Sequence, residues 1–162
     1  IFKEMKQHGI VPKTITYNAL ISALEKGKQP EQALEIFKEM TQHRVVPNVI
    51  TYNALISALE KGKQPEQALE IFKEMKQHGI VPDVITCSAL ISALEKGRQP
   101  EQALEIFKEM KQHGIVPNVI MYSALISALE KGKQPEQALE IFKEMKQHGI
   151  VPNVITYNAG DI

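Results

Sequence analysis

The chain has 162 residues, 43% hydrophobic and 23% charged, with 19 basic side chains balanced by 19 acidic ones. That balance excludes a bulk electrostatic pull toward nucleic acid or anionic membrane, although not a local basic stripe. The single cysteine, Cys87, excludes an internal disulfide and paired-cysteine metal ligands, and no apolar run approaches the roughly 18 residues of a membrane span.

Pro12, Pro47, Pro82, Pro117 and Pro152 recur at a fixed step of 35 residues, as do Phe2, Phe37, Phe72, Phe107 and Phe142. A fixed period of this size marks a solenoid, in which each unit buries its apolar face against its neighbours. Residues 1–13 are a partial unit, and full units follow at 14–48, 49–83, 84–118 and 119–153. Residues 154–159 begin another unit, and residues 160–162 form an irregular tail. One array therefore spans 1–159. Its two ends lack the polar caps that solenoids usually carry, so end-to-end self-association is expected.

Within a unit, Tyr52, Leu55, Ile56 and Leu59 follow the i, i+3, i+4, i+7 spacing of one helical face. Asn48 stands at the N-cap of this helix A, after an extended Pro47, and Gly62 ends it. Pro65 opens helix B at its first turn, with Glu66 at the positive end of the dipole. Ala68, Ile71, Phe72 and Met75 form its apolar stripe, and Gly79 supplies a left-handed stop. Arg44 replaces that glycine in the first full unit, which predicts a strained corner costing on the order of 1 kcal/mol. Short links make each unit an antiparallel hairpin. The expected fold is all-α, a solenoid of helix-turn-helix repeats.

Function is then read where the copies differ. Units 49–83 and 119–153 differ at three positions, Thr51 against Met121, Asn53 against Ser123 and Asp83 against Asn153. The fifth residues of the four units are Asn18, Asn53, Ser88 and Ser123, and the last are Asn48, Asp83, Asn118 and Asn153. Both positions fall at the same end of their A helices. They form two columns of hydrogen-bonding groups along one surface, as expected of a reader with one letter per unit. Capping alone would also explain Asn48 and Asp83, but not the change at the fifth position.

The period, the stretch PNVITYNALI and the closing IFKEMKQHGI resemble the pentatricopeptide repeat family, P-type, over residues 1–159. The near-identity of the copies suggests a consensus-designed synthetic array or a recent duplication. The resemblance implies a right-handed superhelix binding single-stranded RNA along its concave face, one base per repeat, with no cofactor. For a natural chain it also implies a mitochondrion or chloroplast. By the same resemblance, the fifth and last residues of each repeat choose the base. Asn18 with Asn48 reads cytosine with uracil tolerated, Asn53 with Asp83 reads uracil, and Ser88 with Asn118 and Ser123 with Asn153 read adenine, giving 5′-CUAA-3′. The second residues, Ile15, Ile50, Ile85 and Ile120, sandwich bases, and Lys26, Lys61, Lys96 and Lys131 contact phosphate. Lys13 and Asn158 stand at incomplete end sites, expected to read poorly.

The chemistry agrees with those roles. Packed helices stand about 8–10 Å apart, whereas stacked bases rise about 3.4 Å, so RNA read by repeats is unstacked and needs a wedge between bases. An ionised Asp only accepts hydrogen bonds, which suits the N3–H of uracil. Two other readings compete. One is a peptide-binding scaffold like the tetratricopeptide repeats, whose period is about 34 with a tryptophan this chain lacks. The other is an inert array. The isoleucines could instead be buried against neighbouring helices, and the lysines, each following a Glu, could be a solvated face. His8, His43, His78, His113 and His148 suit helix C-termini rather than a metal site, and Cys87 reads as a small core residue. The acidic residues of helix B, and Glu60, are expected to pair with Lys within their own helix. Neither a Cys-x-x-Cys zinc pattern nor a phosphate-cradling glycine loop occurs, so an enzyme is not expected.

Overall fold

The computed structural model describes residues 4, 7–10 and 12–152. Among them eight helices alternate with short turns: α1 Thr14–Lys26, α2 Pro30–Gln42, α3 Val49–Lys61, α4 Pro65–Gln77, α5 Val84–Lys96, α6 Pro100–Gln112, α7 Val119–Lys131 and α8 Pro135–Gln147. Odd-numbered helices are the A helices of the repeats and even-numbered ones the B helices. The B helices each begin on proline with glutamate in the first turn, where a missing N–H and a negative charge are both favourable.

The A helices carry the greater share of the core. Tyr52, Leu55, Ile56, Ala58 and Leu59 of α3 are all fully buried, and each large apolar side chain of this kind contributes roughly 2 kcal/mol. They need that burial because α3 packs on α1 and on α5, and α5 on α7. Each of α2, α4 and α6 lies instead against its own A helix and the next one. With A helices in direct contact and B helices held apart, the array curves with the A helices on the inside.

The glycines ending α3, α5 and α7 answer to packing. Gly62 is right-handed, with φ −78°. A Cβ there would meet Pro30 Cγ of the preceding repeat at 2.5 Å, and one at Gly132 would meet Pro100 Cγ at 2.6 Å. Close approach between repeats, not backbone freedom, excludes a side chain. The left-handed residue is the next one, Lys28, Lys63, Arg98 or Lys133, at φ 53–56°, and it lets the Gln29 N–H reach Leu24 O at 2.9 Å. At the end of helix B the expectation is met. Gly79 has φ 71°, and Arg44 occupies the same left-handed conformation at φ 57°.

Tyr17, Tyr52 and Tyr122 are fully buried, as their spacing implies. Their hydroxyls also organise a polar contact that the spacing did not reveal. Tyr122 Oη donates to Glu144 Oε1 at 3.0 Å and lies 2.8 Å from His148 Nδ1; Tyr17 meets Glu39 and His43 in the same way. Burial, then the charge of Glu39 and its hydrogen bond, push the Tyr17 phenol up to about 12. The tyrosine rings stand edge-on to the phenylalanine of the preceding repeat, at 5.6 Å for Phe37–Tyr52 and 5.2 Å for Phe107–Tyr122.

Cys87 occupies the tyrosine position of the third full repeat, buried, with its thiol pushed up to about 11, first by burial and then by the Asp83 charge. The missing ring leaves a hollow of about 70 Å³ lined by Phe72, Ile106, Met110, Glu109 and His113 among others. His113 Nδ1–H turns back onto Glu109 O at 2.8 Å. Cys87→Tyr is expected to fill the hollow and restore the phenol contact, raising stability by about 2 kcal/mol. Thermal and urea melts followed by circular dichroism check this, and an unchanged or lower midpoint would contradict it.

Candidate nucleic-acid interface

The last residue of each repeat has two tasks. The Asn48 side chain accepts from the Thr51 N–H at 3.1 Å, capping α3. The same Oδ1 accepts from Asn18 Nδ2 at 3.1 Å, so the fifth and last residues of one repeat are hydrogen-bonded partners. Asp83 caps α5 through the Thr86 N–H at 2.9 Å and takes Asn53 Nδ2 on both carboxylate oxygens, at 3.1 and 3.2 Å. Asn118 caps α7 through the Met121 N–H at 3.0 Å, and its Nδ2 stands 3.5 Å from Ser88 Oγ. Ser123 is buried and its hydroxyl donates to Val119 O at 2.7 Å. Its partner Asn153 lies outside the described residues, as does Asn158. Lys13 precedes α1 without a side-chain cap. Capping and pairing thus occur together, and the capping motif is what fixes where the pair stands.

Thr51 and Thr86 belong to the site, and sequence reasoning passed over them. Both are fully buried. Each completes a capping box, with its hydroxyl oxygen accepting the N–H of Asn48 or Asp83 at 3.0 and 3.1 Å. The signal was present as Asn48-x-x-Thr51 and Asp83-x-x-Thr86, a capping-box spacing.

The second-position isoleucines are not core. Ile15 is 78% exposed, and Ile50, Ile85 and Ile120 are 59–60% exposed. Ile85 and Ile120 flank a groove of about 370 Å³ between α5 and α7, which also contains Ser88, Asn118 and Glu60. Here a paired polar site stands between two exposed apolar walls, and the exposed isoleucine recurs at Ile15 and Ile50.

The lysines at the ends of the A helices are exposed but engaged. Lys61 is ion-paired to Glu25, Lys96 to Glu60 and Lys131 to Glu95, in each case across to the preceding repeat. Those glutamates also accept from Ser57, Ser92 and Ser127 at 2.9–3.0 Å. The pairing expected within helices is replaced by pairing between repeats, and on the B helices Lys76 meets Glu109 at 2.7 Å and Lys111 meets Glu144 at 2.6 Å. The close approach of repeats makes the side chain one unit away a nearer neighbour than the one a turn away. Glu60 therefore pairs forward to Lys96, and Glu74 takes Tyr52 and His78 instead of a lysine.

Partial burial alone would raise the Asp83 carboxyl. The Thr86 backbone N–H, the Thr86 side chain, the Asn53 amide and the Ile85 N–H together outweigh it and hold the carboxyl below its usual range. Among the described residues, no three His, Cys, Asp or Glu side chains converge as metal ligands, and no helix is long and apolar enough to cross a membrane.

A pentatricopeptide repeat domain model matches residues 1–63, 70–132 and 105–159, and a single PPR repeat model matches 50–80. No curated protein sequence matches the chain. Among solved structures, the pentatricopeptide repeat protein PPR10 from maize superposes with a TM-score of 0.85 at 26% identity, covering 98% of this chain. This chain spans 23% of that one. PPR10 in complex with an 18-nucleotide psaJ RNA element gives 0.77, with the same identity and coverage. The PPR domain of Arabidopsis thaliana protein-only RNase P 1, in complex with tRNA, gives 0.86 at 20% identity, covering 97% of this chain and 83% of that one. At that identity the likeness is one of fold.

The lowered Asp83 carboxyl gives a pH dependence of definite sign. Its contribution to stability is complete above the unfolded value near 3.8 and is lost as the pH falls through the lower folded value. In a carboxyl NMR titration, Thr86→Val and Asn53→Ala are each expected to raise the Asp83 midpoint. A midpoint that neither substitution moves would contradict the network.

Proposed function

The chain belongs to the pentatricopeptide repeat family, and from that premise we propose that it binds single-stranded RNA sequence-specifically, one base per repeat, with core target 5′-CUAA-3′. One observation carries the reading: the fifth and last residues of each described pair meet at one spot on the inner A helices, beside the exposed second-position isoleucine. The fifth and last residues are among the few positions at which the nearly identical copies differ.

RNA as the ligand class is supported by the maize relative, whose structure was solved with an RNA element. A base entering the groove between Ile85 and Ile120 would be held between apolar faces while its edge meets Ser88 and Asn118. Repeats space the bases too far apart to stack, so those isoleucines take the place of neighbouring bases. The fourth letter, read by Ser123 and Asn153, rests on the sequence pattern.

The lysine column acts against its glutamates. Lys61, Lys96 and Lys131 give up or share Glu25, Glu60 and Glu95 on meeting phosphate, so their electrostatic contribution is partly cancelled in advance. Affinity then comes chiefly from the base sites.

Fluorescence anisotropy with CUAA in neutral flanks, against permuted RNAs, tests the proposal directly. CUAA is expected to bind tightest, and equal binding of all permutations would refute it. Asn48→Asp is expected to move the first letter from cytosine to uracil with little change in melting temperature. Glu25→Gln, Glu60→Gln and Glu95→Gln together release three lysines. They are expected to tighten binding and steepen its salt slope by about 2, at ~0.7 per phosphate contact. An unchanged slope would remove those lysines from the interface.

A further inference from the structure

We propose that the third residue of each repeat, Thr51 or Thr86, is a positioning residue for the base read by the repeat before it, because its hydroxyl fixes which end of the fifth-position amide faces the RNA. The inference rests on the one-base-per-repeat reading and goes beyond it to a residue outside the reading pair.

The argument is a count of protons. Thr51 Oγ1 accepts the Asn48 N–H at 3.0 Å and has a single proton to donate. Asn18 Oδ1 lies 2.6 Å away and Asn48 Oδ1 3.1 Å, so the nearer oxygen takes it. Asn48 Oδ1 is already supplied by the Thr51 N–H and by Asn18 Nδ2. The opposite orientation of Asn18 would set its carbonyl against the Asn48 carbonyl and its amide against a hydroxyl oxygen at donor distance. The network therefore points Asn18 Oδ1 inward and leaves one N–H of its Nδ2 and both of Asn48 Nδ2 unused by these bonds. Donors side by side match the adjacent acceptors O2 and N3 of cytosine.

The second site has the same frame and a different face. Thr86 Oγ1 lies 2.5 Å from Asn53 Oδ1, holding it inward, while Asn53 Nδ2 bonds both Asp83 oxygens. What faces outward is one amide N–H beside a carboxylate oxygen. That donor–acceptor order matches a uracil carbonyl and its N3–H, and it sets acceptor against acceptor with cytosine N3. Without the threonine hydroxyl, the Asn18 carbonyl loses the donor that holds it inward, and only the contact of its amide with Asn48 Oδ1 still resists the turnover that would reverse the order of groups shown to the base.

The third site supplies an internal control. Met121 stands where the threonine would, with no hydroxyl, and the Ser88–Asn118 pair is held by the Met121 N–H and a 3.5 Å contact.

The test measures letter preference, not affinity alone. Thr51→Val, Thr86→Val and Met121→Val in the full chain are each titrated against RNAs carrying every base at letters one, two and three, with Thr51→Ser as the conservative rescue. Thr51→Val is expected to reduce the cytosine-to-uracil preference at letter one about fivefold, the worth of one hydrogen bond, while leaving letter three alone. Thr86→Val is expected to do the same at letter two, Thr51→Ser to keep the wild-type preference, and Met121→Val to change no letter. Loss of affinity with unchanged preferences would mean the threonines act only as caps, and it overturns this inference alone. A wild-type chain without base preference overturns the one-base-per-repeat reading and this inference with it.

Discussion

Everything in this molecule depends on how closely one A helix lies against the next. The proline that opens each B helix presses on the glycine that ends the following A helix, at a distance no Cβ would tolerate. That contact, with the fully buried Leu, Ile and Ala side chains of α3, α5 and α7, sets the step of the array. Because the step is fixed, the last residue of one repeat always arrives as the N-cap of the next helix, beside the fifth residue of its own repeat. The polar pair is thus a by-product of packing that could become a place for recognition. Its spacing is set by helix diameter, not by a nucleic acid.

Much of this was legible in the sequence. The 35-residue period, the i, i+3, i+4, i+7 stripe and the proline and glycine punctuation placed the helices, because in a repeat array each local signal is seen several times and the chain has few alternatives. The polar columns were legible for a related reason, since identity elsewhere makes a change from Asn53 to Ser88 conspicuous. What was hidden involves relations between repeats. Periodicity says that Lys61 and Glu60 are neighbours in sequence, but not that each lysine crosses to the glutamate of the repeat before. Nor does it separate a glycine needed for φ from Gly62, where the reason is Pro30. Thr51 was seen to vary but given no role, because a threonine inside a helix's first turn looks like an ordinary residue until its hydroxyl is seen between two asparagines.

The charge pattern fits a reader that discriminates more than it attracts. Net charge is zero, and inter-repeat ion pairs occupy much of the basic surface at the inner helix ends. With long-range attraction subdued, the groups proposed to distinguish one base from another are short, partly buried and held in place by hydrogen bonds. Such groups lose little conformational entropy on binding. Where the frame weakens, at Cys87 and at Met121, the departure is local, because each repeat touches only its neighbours.

The central claim is that the spelling of the preferred RNA is carried by the pairs and follows them when they move. Exchanging the second and third pairs, by Asn53→Ser, Asp83→Asn, Ser88→Asn and Asn118→Asp with Met121→Thr to supply the hydroxyl, leaves composition and packing almost unchanged. Competition binding against a library of four-letter cores measures the outcome most directly. The account predicts that the preferred core changes from CUAA to CAUA. A variant that folds normally and still prefers CUAA, or prefers nothing, would contradict it.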